Sequence, residues 1–203
     1  MKIICIGQNY AEHIKELKSA FPEKPVFFLK PDTCLIKNNL PFYLPDFSND
    51  LQHEIEIVIK INRLGKNIEE KFAHRYYSEL TVGIDFTARD IQREIKSKGL
   101  PWEIAKAFDG SAPIGEFIPL SSIKKIKDLN FELKVNDTIA QKGNTSDMIF
   151  DFDKIISYVS LFMTLKIGDL IYTGTPSGVG AVKIGDKLTA SIEGKTLLEF
   201  FVK

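Results

Sequence analysis

The sequence predicts a mainly β, mixed α+β fold carried by one domain over residues 1–203, with only a few short helices. Three observations predict it. Apolar runs are short and recur between Gly, Pro and Asn breakers. Few stretches carry a helical period. No internal repeat, low-complexity tract or Ser/Gly linker divides the 203 residues, a length that suits one large domain.

Residues 3–6 read as an opening strand. Asn9 is placed to cap a helix over Tyr10–Ala20, with Ile14 and Leu17 on one side, Glu12, His13 and Glu16 elsewhere, and Pro22 ending it. VFFL at 26–29 reads as a strand stopped by Lys30-Pro31, and 32–50 as strand fragments and turns around Pro41, Pro45 and Asn49. A strand follows over 53–61 and a helix near 69–77. LTVGIDFTA (80–88) is a buried strand with a loop at its end. Thr87 is placed to cap a helix over 88–98 closed by Gly99, the residue type expected just past a helix end. Residues 100–120, with Pro101, Pro113 and Pro119, read as mostly irregular. Strands at 131–137 and 138–143, a helix around 151–164 and a strand at 168–174 come next. A hairpin turning at Glu193-Gly194 closes the chain.

Composition narrows the function classes. Lys+Arg and Asp+Glu are both 27, a balance that argues against a nucleic-acid or anionic-membrane partner. The apolar N-terminal run before Gly7 is too short for a signal peptide or a membrane span. Cys5 and Cys34, in apolar contexts without CxxC spacing, read as reduced core residues, so the expected compartment is the cytoplasm.

The chemistry-bearing residues start with QHEIEIVI (52–59). Positions i and i+2 of a strand share a face about 6–7 Å apart. There Glu54 and Glu56 would repel each other and resist burial unless paired. A hard divalent cation such as Mg²⁺, Mn²⁺ or Ca²⁺ resolves both problems. A solvated strand face would show the same alternation. Asp85 follows an apolar strand and precedes a helix start, where it suits either a third ligand or a turn. Asp90 suits the first turn of that helix. Lys106, among Trp102, Ile104, Ala105, Ala107 and Phe108, is either snorkelling or held near a negative site, and Trp102 suits plain core. His13 and Glu16 are spaced to meet on a helix, an arrangement that suits a general base or simply a polar face. TGTPSGVG (173–180) is a glycine-rich loop after a strand, without the spacing of a P-loop or a dinucleotide fingerprint.

Taken in order, GQNYAEHIKEL, PVFFLKP, HEIEIVI, IDFTARDIQ, GLPWEIAKAFDG, LKVND, DMIF, ISYVS, GDLIYTGTPSGVG and GDK resemble the fumarylacetoacetate hydrolase family over roughly residues 3–201. The match is to its short, single-domain branch of acylpyruvate hydrolases and oxaloacetate decarboxylases. The resemblance implies a mixed β-roll-like fold, a single catalytic domain and a homodimer. It implies a Mg²⁺ or Mn²⁺ site on Glu54, Glu56 and Asp85, and an active-site lysine at Lys106. It also implies substrate contacts at Gln92 and Thr175, and a His13–Glu16 pair on a lid helix over 9–20. The implied activity is metal-dependent cleavage of 3-acylpyruvates. The alternatives on the same site are oxaloacetate decarboxylation, isomerisation or hydration of hydroxy-dienoic diacids, and non-catalytic keto-acid binding. Gln8 departs from the arginine usual at this position of the family, which opens the question of substrate identity.

Overall fold

The computed structural model describes residues 1–203 as fifteen strands and five α-helices, the longest helix being Phe152–Phe162. A six-stranded sheet orders Val26–Lys30, Ile3–Gly7, Leu170–Tyr172, Ile55–Ile61, Tyr77–Ile84 and Ile118–Pro119. Its strands are antiparallel except where Ile3–Gly7 runs parallel to Leu170–Tyr172. A second, antiparallel sheet orders Thr138–Asn144, Asn130–Val135, Lys187–Ile192 and Lys195–Phe201. Both of its hairpins turn through two left-handed residues, Asn136-Asp137 and the expected Glu193-Gly194. This is the two-residue turn whose twist matches that of the flanking strands. No helix is long and apolar enough to cross a membrane.

The strand period of two sorts the buried residues. Ile55, Ile57, Ile59 and Ile61 point from one face into the main apolar core with Leu133, Ile155 and Leu198. The opposite face carries Val58 with Ile3, Cys5 and Tyr172 in a smaller core. Glu56 continues that second face, so the alternation Glu-Ile-Glu-Ile is two-sided burial. Opposite Glu56 lies Gly83, where an added Cβ would meet the Tyr172 ring at 2.5 Å. Cys5 and Cys34 are buried and unbridged, as expected.

Several boundaries differ from expectation. The first helix covers only Ala11–Glu16. It ends because Lys18 adopts φ 51°, so that Lys18 N donates to Lys15 O and Ser19 N to Ile14 O, long before Pro22. That is a Schellman motif with lysine where glycine is usual. Asn9 is not its cap. Its buried amide donates to Phe150 O and Thr173 O and accepts from Phe150 N. The strand expected over 53–61 breaks at Glu54 into Leu51–His53 and Ile55–Ile61. The helix near 69–77 shrinks to Glu70–Ala73, because Tyr77 already pairs with Ile61. Thr87 belongs to a two-residue strand against Leu51–His53, and the helix Arg89–Ser97 starts from Ala88 without a side-chain cap. The stretch 100–120 is more ordered than expected. It holds the helix Glu103–Lys106 and two-residue strands at 112–113 and 118–119.

Candidate active site

The fold gathers the sequence-predicted residues in one cleft. Glu54 sits at the break between two strands, where its carbonyl accepts from Asp85 N at 2.8 Å. That bond ties the start of Ile55–Ile61 to the end of Tyr77–Ile84 and brings Asp85 beside the two glutamates. Oxygens of Glu54, Glu56 and Asp85 lie within 4.8 Å of one another, and all three residues are buried. Lys106, from the short helix Glu103–Lys106, places Nζ 2.8 Å from both Glu54 Oε2 and Asp85 Oδ2. It is therefore held at a negative site. His13, Gln92 and Thr175 line the same cleft, with Gln8, Phe28 and Trp102. Trp102 packs on Phe28 as a wall of the cleft, 5.7 Å between ring centroids.

His13 and Glu16, on the helix Ala11–Glu16, are in contact. His13 Nδ1 lies 3.0 Å from Glu16 Oε2, and Glu16 Oε1 accepts from Gly178 N at 3.0 Å. The glycine-rich loop thus anchors the carboxylate that orients the imidazole. The same loop reaches the acid cluster, where Gly174 N donates to Glu56 Oε2 at 2.6 Å. Gly174 has φ 101°, and an added Cβ would meet Asn9 Cβ at 2.6 Å, so only glycine fits.

Two cations were not singled out in the sequence. Arg89, the first residue of its helix, pairs with Glu54 and donates to Gln92 Oε1 at 2.6 Å. Lys30 is fully buried with Nζ 2.7 Å from Asp85 Oδ1. The same Nζ also reaches Ser111 O, Ser111 Oγ and Phe86 O. In PVFFLKP it reads as the lysine that ends a strand, and in TARD the arginine reads as a helix-start residue. Lys30 does follow the apolar run VFFL, but Arg89 stands among Asp90, Gln92, Arg93 and Glu94, where a further charge draws no notice. Lys30, Arg89 and Lys106 match the three carboxylates charge for charge.

That balance shifts the acids apart. Burial pushes Glu54 up, but Lys106 and Arg89 outweigh it and hold the carboxyl well below its ordinary range. Burial, then Asp85 and Glu54, push Glu56 well above its ordinary 4.5. Burial pulls Lys106 down, yet Asp85 and Glu54 hold it above its ordinary value.

The arrangement fits a divalent cation. Three buried carboxylates converge, and the like charges around Glu56 favour a cation there. Hard oxygen donors of this kind suit Mg²⁺ or Mn²⁺. The cleft volume is about 40 Å³, room for an ion or a water. A larger surface groove of about 660 Å³, lined by Ile118, Lys125, Asn130 and Glu193 among others, contains no cluster of this kind.

Residues 2–203 match the family model described as fumarylacetoacetate hydrolase, C-terminal. The chain is 44% identical over 201 residues to the mitochondrial oxaloacetate tautomerase FAHD1 of Rattus norvegicus, covering 99% of this chain and 91% of that protein. It is 45% identical to the mitochondrial oxaloacetate decarboxylase of Dictyostelium discoideum, covering 95% and 89%. Among solved structures, fumarylpyruvate hydrolase from Pseudomonas aeruginosa in complex with Mn²⁺ and pyruvate superposes with a TM-score of 0.93 at 35% identity, covering 100% of this chain and 89% of that one. A 5-carboxymethyl-2-hydroxymuconate delta-isomerase from Mycobacterium smegmatis gives 0.87 at 36% identity, covering 99% and 78%.

Proposed function

The chain belongs to the fumarylacetoacetate hydrolase family, and on that premise we propose that it is a divalent-metal-dependent enzyme cleaving the C–C bond of 3-acylpyruvates to pyruvate and a carboxylic acid. The observation that carries this reading is the His13–Glu16 pair, lining the cleft that holds Glu54, Glu56, Asp85 and Lys106. Glu54, Glu56 and Asp85 would hold Mg²⁺ or Mn²⁺, and the Mn²⁺–pyruvate complex of the Pseudomonas hydrolase supports that choice. A cation bound there would supply Lewis-acid charge to a 2-oxo acid.

The chain's own groups supply the rest. Glu16 fixes the imidazole so that His13 can take a proton from water. The water oxygen bonds to the distal acyl carbon. The C–C bond then breaks, leaving its electron pair on the enolate of pyruvate, which a proton returns to the keto acid. Lys106, held charged by its two carboxylates, offsets the negative charge that develops there. Gln92 and Thr175 orient the substrate, and the helix Ala11–Glu16 closes out bulk water.

A second reading rests on the oxaloacetate tautomerase and decarboxylase relatives. Loss of CO₂ from oxaloacetate leaves the same enolate, and tautomerisation moves one proton between carbon and oxygen without an attacking water. Parallel assays on acetylpyruvate and oxaloacetate, with Mn²⁺ or with EDTA, separate the two. We expect His13→Ala to lower acetylpyruvate cleavage by about 10²–10⁴-fold, the usual contribution of a general base, and oxaloacetate decarboxylation far less. Equal loss on both substrates would sink the water-activating role. Turnover of oxaloacetate alone would establish the second reading.

A further inference from the structure

We propose that Gln141 is a positioning residue that fixes Thr175 as a hydrogen-bond donor to the carboxylate of a bound 2-oxo acid. The inference rests on the reading above and extends it to a residue outside the cleft lining.

Gln141 lies on the strand Thr138–Asn144 of the second sheet, 1% exposed. Its amide makes four hydrogen bonds. Ile55 N donates to Oε1 at 2.9 Å, and His53 Nδ1 lies 2.9 Å from the same oxygen. Nε2 donates to Thr175 Oγ1 at 2.9 Å and to Pro176 O at 3.0 Å.

The direction of this chain of bonds follows from one group. A backbone N–H can only donate, so the amide atom facing Ile55 is the oxygen and the flip of Gln141 is determined. His53 Nδ1 must then carry a proton. Nε2 must face Thr175, and both of its hydrogens are taken. Thr175 Oγ1 therefore accepts from Gln141, and no group of the protein accepts its own proton. Thr175 is 3% exposed and lines the cleft beside the acid cluster. A buried hydroxyl with an unplaced proton is set to donate to an anionic oxygen there. Without Gln141, both Thr175 Oγ1 and Pro176 O lose their donor, and nothing holds the hydroxyl in its donating orientation.

Oxalate, a planar dianion resembling the enolate of pyruvate, is the probe. Its Kd and that of Mn²⁺ are measured by calorimetry on the Mn²⁺-loaded and metal-free protein. Thr175→Val and Gln141→Met should each weaken oxalate about 10-fold, the loss of one bond to a charged group, with Mn²⁺ affinity unchanged. Thr175→Ser should keep the wild-type value. The double variant should bind no more weakly than either single one, because both remove one donated proton. If Gln141→Met fails to fold, Gln141→Glu keeps the shape and takes the Thr175 proton itself, and the same cycle applies. Unchanged oxalate affinity in a folded Gln141 variant overturns the proposal, as do fully additive losses. Failure of the wild-type protein to bind oxalate with Mn²⁺ present instead rejects the reading on which it rests.

Discussion

At the scale of single residues, six charged side chains explain how a strand can bury two glutamates. Glu54, Glu56 and Asp85 are buried with Arg89, Lys30 and Lys106, three acids and three cations in formal balance. Such groups are worth more as partners than alone, since removing one member of a buried pair strands the other. Lys106 touches two carboxylates at once. Lys106→Met should therefore cost about 3–5 kcal/mol of unfolding free energy in EDTA. A divalent cation can take over the lost countercharge, so the gap to wild type should narrow when Mn²⁺ is added. Urea denaturation with and without Mn²⁺ measures it. A gap that stays constant would mean that the ammonium does not share its carboxylates with the cation.

At the scale of elements, helix ends decide where the cleft residues stand. The helix Phe152–Phe162 begins at Asp151, whose side chain accepts from Lys154 N at 3.0 Å and from Lys127 at 2.7 Å. Burial raises the Asp151 carboxyl, but the Lys127 and backbone bonds outweigh it and lower its pKa. A depressed acid contributes stability above its unfolded value of 3.8 and loses it as pH falls through the folded value. Asp151→Ala should thus cost about 1 kcal/mol at neutral pH, and the deficit should shrink below pH 3.8. Thermal unfolding across that range checks both. The helix was legible around 151–164, though its cap was not singled out. The hairpin turn at Glu193-Gly194 and the glycine closing Arg89–Ser97 were legible from local residue type. The end of Ala11–Glu16 was not, because a lysine in the left-handed region carries no sequence mark. Nor was Asn9, whose partners Phe150 and Thr173 are far along the chain. Glu54, Glu56, Asp85 and Lys106 stood out because acids or a lysine within apolar segments violate local pattern. Lys30, Arg89 and Gln141 acquire their meaning only from residues that pairing of distant strands brings to them.

At the scale of the molecule, the cleft is where long-range closures meet. Gly174 N reaches Glu56 across 118 positions, and Gly178 N reaches Glu16 across 162. Asn9 bonds the segments at 150 and 173, and Gln141 joins the second sheet to the loop at 175 and 176. Ligands that bind here bind the folded state alone, since none of these contacts survives unfolding. A divalent cation at 100 times its Kd should stabilise the protein by about 2.7 kcal/mol. For a chain of this size that is roughly 5–10 °C in Tm. Oxalate should add a further shift in the presence of Mn²⁺, because the cation supplies its countercharge. In EDTA Lys106 and Arg89 are already engaged by Glu54 and Asp85, so oxalate should shift Tm little. Differential scanning calorimetry of the four states, with and without each ligand, makes the comparison. Equal oxalate shifts with and without Mn²⁺ would show that the anion is held by Lys106, Arg89 and Thr175 without the cation. The two ligands would then be independent, and the acid cluster would have no part in binding the 2-oxo acid.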